Sequence, residues 1–231
     1  MLFHQLFEKE SSTYTYLIAD PATREAALID PVLETADRDL KLLQELGLQL
    51  RYVLDTHIHA DHITGAAVLK KATGAKSAVS AAAGVSLADL PLHDNQEISL
   101  GNLKIRVIAT PGHTDTCVCY LVEGRLFSGD TLLIRGCGRT DFQQGSNEKM
   151  FHSVRTKLFA LPEDTLVYPA HDYSGHTSST IGQEKRWNKN LAESIPFEQF
   201  AEIMKNKKLD PPKKIQVAVP ANLAGGHVGA S

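Results

Sequence analysis

The β-branched and aromatic run Thr13–Ile18 and the apolar run Glu25–Ile29 predict two strands, joined by the turn Asp20-Pro21-Ala22-Thr23. Leu40, Leu43 and Leu46 then recur at helical spacing, with Thr35 as the expected N-cap and Gly47 as the stop. Arg51–Asp55 reads as a short buried strand. Ala66–Ala72 reads as a helix stopped at Gly74, and Lys76–Ser80 as another strand. Further strand signals lie at Glu97–Leu100, Leu103–Ile108, Cys117–Val122, Arg125–Phe127 and Leu166–Tyr168. Met150, Val154, Leu158 and Leu161 mark the apolar face of a helix over Asn147–Leu161, and two more helices are expected near Lys185–Leu191 and Phe197–Lys205. Single helices between groups of strands predict an α+β chain, with two sheets packed together and helices on their outer faces. No composition break divides the chain. One domain is expected over 1–231, with 175–223 as a C-terminal helical extension and the glycine-rich 224–231 as a flexible tail.

The polar residues fall in a pattern of their own. His57, His113, Asp130 and His171 each come just after an expected strand, where loops carry chemistry on a rigid scaffold. The densest group is His57-Ile58-His59-Ala60-Asp61-His62. In an extended stretch His57 and His59 point to the same side. Imidazole and carboxylate are the donors of catalytic Zn, Fe and Mn sites. Pro111-Gly112-His113-Thr114, Phe127-Ser128-Gly129-Asp130-Thr131 and Tyr168-Pro169-Ala170-His171-Asp172-Tyr173 are each weak alone, since a polar residue in a turn is commonly just solvated. Their ordered combination is the strong signal.

Composition narrows the reading. Apolar residues make up 42% and charged residues 22%, ordinary for a soluble domain. A net charge of −3 gives no electrostatic ground for nucleic acid or an anionic membrane as partner. No apolar run approaches the roughly 20 residues of a membrane span, and Met1-Leu2-Phe3-His4-Gln5 has no signal-peptide character. Three cysteines are expected as reduced thiols, in a bacterial cytoplasm or, for a mature form, an organelle matrix.

These motifs resemble the metallo-β-lactamase-fold superfamily, whose fold is an αββα sandwich with metals at one edge. The resemblance implies one metal position faced by His57, His59 and His113, and a second faced by Asp61, His62 and His171, with Asp130 between them. A narrower resemblance is to the persulfide dioxygenases. It is carried by Ile29-Asp30-Pro31-Val32, Ala60-Asp61-His62-Ile63-Thr64-Gly65, the loop from Ile134 to Gly145, Pro169-Ala170-His171-Asp172-Tyr173 and Val219-Pro220-Ala221-Asn222. It implies a single Fe(II) held by His57, His113 and Asp130, and oxidation of glutathione persulfide by O2 and water to sulfite and glutathione. His59, Asp61, His62 and His171 then fix the orientation of the ligands, or hold a second metal. Zn uses the same donor atoms. Related proteins imply a homodimer as a possible assembly.

Other residues have two readings. Arg139 suits a substrate carboxylate, or a salt bridge to Asp141. Tyr173 places a hydroxyl near the metal for catalysis or substrate, or is an ordinary hydrogen-bonded tyrosine. Cys137 is a redox-sensitive thiol near the metal or a small core residue. A glyoxalase II-type thioester hydrolase with two metals is the alternative function, and a metal-free binding protein a third.

Overall fold

The computed structural model describes residues 1–212 and 214–227. Among the described residues, twelve strands form two six-stranded sheets. The first holds β1 (Leu2–Glu8), β2 (Thr13–Ala19), β3 (Glu25–Ile29), β4 (Gln49–Leu54), β5 (Lys76–Ser80) and β6 (Leu90–Leu92), in chain order. β1–β2–β3 are antiparallel and β3 to β6 run parallel. The second holds β7 (Glu97–Leu100), β8 (Leu103–Ala109), β9 (Val118–Val122), β10 (Arg125–Gly129), β11 (Leu166–Pro169) and the two-residue β12 (Ser179–Thr180), again in chain order. β7 to β10 form an antiparallel meander, and β11 joins β10 in parallel.

The period-two alternation of strands builds three apolar layers from two sheets. From β2, Tyr16 and Ile18 enter the inter-sheet core with Ile29, Leu54, Ile105, Val107, Tyr120 and Phe127. Leu17, between them, faces the outer layer with Leu28, Val53, Leu43 and Leu69. That layer is covered by α1 (Ala36–Glu45) and α2 (Ala66–Thr73). On the far side, Ile108, Cys119, Leu126 and Val167 pack against Met150, Val154, Leu158, Phe200 and Met204. These come from α3 (Asn147–His152), the π-helical turn Ser153–Leu158, and α5 (Phe197–Asn206), which follows α4 (Ile181–Trp187). The result is the expected αββα sandwich. β2 is buried at every residue because both of its faces are covered.

Several boundaries differ from expectation, each for a local reason. The helix over Asn147–Leu161 widens after His152, where Phe159 N–H reaches Val154 O, five residues back. The helix placed near Lys185–Leu191 is α4, four residues earlier. Thr180 Oγ1 caps it by accepting from Gln183 N–H (3.1 Å), and it ends at Trp187. Thr35 precedes α1 but gives no side-chain cap; its hydroxyl donates to Val32 O (3.2 Å). β1 was not expected because Leu2, Phe3, Leu6 and Phe7 blur the alternation: Leu2 packs on the outer layer and Phe3 on the inter-sheet core. α6 (Ile215–Leu223) was also missed, since Pro220 inside it disfavours a helix reading. Ala224–Gly226 follow α6 directly. They turn back on α6, with Gly226 N–H bonded to Ala221 O (2.9 Å). The rest of the expected tail, 228–231, lies outside the described residues.

Candidate metal centre

Four strands drawn from both sheets end at the same edge. β4 leads into His57, β8 into His113, β10 into Asp130 and β11 into His171. One donor atom from each of His57, His113 and Asp130 lies within 4.8 Å of the others, and the same holds for His59, Asp61 and His62. His113 Nε2 is 3.6 Å from Asp130 Oδ2. His171 Nε2 lies 3.6 Å from Asp61 Oδ2 and 3.7 Å from Asp130 Oδ1, between the two groups.

The ring nitrogens that face away are each tied down. His113 Nδ1 is 2.7 Å from Arg139 O, and His171 Nδ1 is 2.9 Å from Ser12 O. A carbonyl only accepts, so both rings carry their proton on Nδ1 and keep the Nε2 lone pair free for a metal. His57 Nδ1 is 3.0 Å from Thr56 Oγ1, whose own proton goes to Asp30 Oδ2 (2.9 Å), so His57 is held in the same tautomer. Burial, with the neighbouring His59 and His113 imidazoles, holds the pKa of His57 well below the ordinary imidazole value. Burial does the same to His59, with His62 adding to it. Both rings are neutral, the ligand form. Burial would raise the carboxyl of Asp130, but the imidazoles of His171, His113 and His57 around it outweigh that and hold it below the usual range.

The donor set fits a cation. Asp130 Oδ1, His59 Nδ1 and His62 Nε2 are buried without a hydrogen-bond partner among the described residues. Each such orphan costs about 1–3 kcal/mol unless something satisfies it. A metal ion among His57, His113 and Asp130 satisfies the carboxylate, and one among His59, Asp61 and His62 would satisfy the two imidazole nitrogens. Asp61 is differently placed. Its Oδ2 takes His62 Nδ1 at 2.9 Å and the Thr13 hydroxyl at 3.2 Å. Against the cost of burial, the His62 and His171 charges hold its carboxyl well below the usual range.

Three residues outside the His motif shape it. Asp30, fully buried after β3, accepts from Thr56 N–H (2.7 Å) and Thr56 Oγ1, and meets His59 Nε2 at 3.1 Å. Asn222 on α6 donates from Nδ2 to both His59 O and His62 O (2.9 Å each) and accepts Thr64 N–H. Gln143 Nε2 donates to Ile58 O (2.9 Å). In the sequence Asp30 and Asn222 were only landmarks of resemblance. The available signal for Asp30 was its place at a strand end on the edge where the ligands gather. Gly138 is also dictated by contact: a Cβ there would run into Asp130 O and lie 3.0 Å from His113 Nδ1.

A cavity of about 510 Å3 opens over the centre, walled by the loop at 133–143, by 171–174 and by 207–212. Arg139 is part of the wall, but its guanidinium is engaged: Nε and Nη2 grip Asp141 (2.7 and 2.8 Å), and Nη1 donates to Asp210 O (2.7 Å). Its plane also lies over Phe142. Of its two readings, the salt bridge is the one formed. Tyr173 is 77% exposed at the mouth, its ring stacked on His171 with centroids 5.9 Å apart. Cys137 is buried beside the cavity, its Sγ 3.9 Å from Met204 Sδ, and burial raises its thiol pKa.

This edge-sited His and Asp cluster on an αββα sandwich has close counterparts. Residues 9–171 match the Metallo-beta-lactamase superfamily model. Persulfide dioxygenase ETHE1, mitochondrial, from Homo sapiens is 49% identical over 229 residues, spanning 98% of this chain and 89% of that protein. The Mus musculus protein of the same name is 48% identical with the same coverage. The crystal structure of ETHE1 from Myxococcus xanthus superposes with a TM-score of 0.96 at 52% identity, covering 98% of this chain and all of that one. The chain therefore belongs to the metallo-beta-lactamase superfamily and, within it, to the persulfide dioxygenase family, a family of oxidoreductases.

Proposed function

We propose that this chain oxidises glutathione persulfide with O2 and water to sulfite and glutathione, at one Fe(II) held by His57, His113 and Asp130. The observation that carries the metal assignment is the convergence of these three donors within 4.8 Å, with His113 and His57 locked in the tautomer that frees Nε2. Two imidazoles and one carboxylate form the ligand set of non-haem iron oxygenases. When bound, the iron supplies the redox capacity that lets O2 react with a persulfide. The reaction balances: the terminal sulfur gains three oxygens, two from O2 and one from water, and the thiolate of glutathione leaves as the S–S bond breaks.

The protein's part is placement. His59, Asp61, His62 and His171 hold the ligand rings and carboxylate in position, through Asp30, Thr13 and Ser12. Tyr173, at the cavity mouth, contacts the substrate. The cavity walls keep other reductants from the reacting sulfur.

The two-metal hydrolase reading has two observations in its favour, the unpartnered His59 Nδ1 and His62 Nε2 and the approach of His59, Asp61 and His62 donor atoms within 4.8 Å. Against it, Asp61 is engaged by His62 Nδ1 and Thr13, which supports the single-metal account. Three free, buried cysteines support a reducing compartment, a bacterial cytoplasm or an organelle matrix. Among the described residues no helix is long and apolar enough to cross a membrane. A homodimer is the assembly we propose, to be read by sedimentation. The Asp130→Ala variant tests the ligand assignment: iron content and O2 uptake should vanish together. Normal iron and turnover in that variant would remove Asp130 from the centre.

A further inference from the structure

Two cations line the cavity over the metal centre, Arg139 and Lys207. Arg139 is engaged by Asp141 and by the carbonyls of Asp210 and Leu209, with its side chain only 12% exposed. Lys207 is different. It sits just past the end of α5, and its Nζ makes one hydrogen bond, to Cys137 O at 3.2 Å. It has no carboxylate partner among the described residues. An ammonium with three donors and one carbonyl acceptor has two donors to offer, and in a half-enclosed cavity its charge is screened less than at an open surface.

We infer that Lys207 is the residue that recognises a carboxylate of the substrate, and so selects peptide persulfides over uncharged alkyl persulfides. This rests on the proposed function, which brings a tripeptide carrying two free carboxylates into the cavity. The carboxylate has few alternatives there. Arg139 is occupied, and the other charged groups of the wall include Asp61, Asp130, Asp172 and Asp210, all of which repel it. Asp210, exposed three residues beyond Lys207, complements the ammonium that the γ-glutamyl end of the same ligand carries. The lysine stands on the wall formed by 207–212, which Arg139 ties to the loop beneath it through the Leu209 and Asp210 carbonyls.

The test is direct binding of S-methylglutathione, an unreactive analogue, measured by calorimetry on the iron-loaded protein. Lys207→Met should weaken binding by about tenfold or more, the worth of one charge-assisted hydrogen bond of about 1.5–3 kcal/mol. Lys207→Arg, which keeps the charge, should recover most of the loss. With both carboxylates of the ligand esterified, wild type and Lys207→Met should bind alike. Unchanged affinity in Lys207→Met, an equal loss for both ligands, or no binding of S-methylglutathione by wild type would overturn the assignment. O2 uptake by wild type with glutathione persulfide is scored separately. If uptake is absent while the binding pattern holds, the carboxylate site stands and the dioxygenase reading falls.

Discussion

Asp30 is the most informative place to perturb the centre, because it acts on two rings without facing the metal. Its carboxylate accepts both Thr56 N–H (2.7 Å) and Thr56 O–H (2.9 Å), which obliges the hydroxyl oxygen to accept from His57 Nδ1. In Asp30→Asn, Oδ1 still serves the Thr56 N–H, but an NH2 group replaces Oδ2. The hydroxyl must then accept from that NH2 and donate to His57 Nδ1, which moves the imidazole proton to Nε2, the atom needed by the metal. The variant loses a charge-assisted hydrogen bond of about 1.5–3 kcal/mol, and loss of such a supporting partner costs about 10–100-fold in metal affinity. Burial pushes the Asp30 carboxyl pKa up, against the nearby His57 imidazole and the Thr56 bonds, so removing its charge also removes a desolvation cost. The metal-free variant should therefore unfold within a few degrees of wild type. Iron competition with a chelator, followed by metal analysis, reads the affinity. An Asp30→Asn protein that holds iron as tightly as wild type would refute the tautomer reasoning.

Other outcomes follow from local geometry. Asp39, buried in α1 and paired on one oxygen with Arg38, has its carboxyl pushed up to about 6 by burial, Arg38 opposing. A raised folded-state pKa means that its contribution is fully present below about 3.8 and is lost as pH rises through about 6. The two values differ by about 2 units, worth about 3 kcal/mol. Asp39→Asn should therefore flatten urea-measured stability between pH 4 and about 6.5, and parallel curves for variant and wild type would exclude this. Gly138→Ala drives a methyl into Asp130 O and against His113 Nδ1, breaks the Gly138 N–H to Asp130 O bond (2.8 Å), and should lower iron affinity at least about tenfold; full iron loading would contradict it. Tyr173→Phe keeps the stack on His171 and should retain iron while kcat/KM for the persulfide falls about tenfold, for one lost hydrogen bond; an unchanged kcat/KM would remove the hydroxyl from the reaction.

The sandwich was legible because its strands are short, apolar and punctuated by turns, and the centre because its ligands sit one after another at strand ends. What escaped the sequence had a physical cause in each case. α6 carries a proline that argues against a helix, yet its Asn222 clamps His59 and His62. Asp30 carries no local pattern, since its partners Thr56 and His59 are 26 and 29 residues away. Arg139 offered two accounts that only the positions of Asp141 and Asp210 separate. Lys207 is an ordinary residue in a lysine-rich stretch until the fold sets it on the cavity wall. Ligand types were written locally; the groups that orient them came from distant segments, which spacing does not reveal.

One measurement bears most directly on the centre: metal content of anaerobically purified protein, taken with O2 uptake on glutathione persulfide and hydrolysis of S-lactoylglutathione by the same sample. A single-iron dioxygenase gives about one iron per chain, one O2 consumed per sulfite released, and no thioester hydrolysis. Two zinc ions per chain, rapid thioester hydrolysis and no O2 uptake would contradict it.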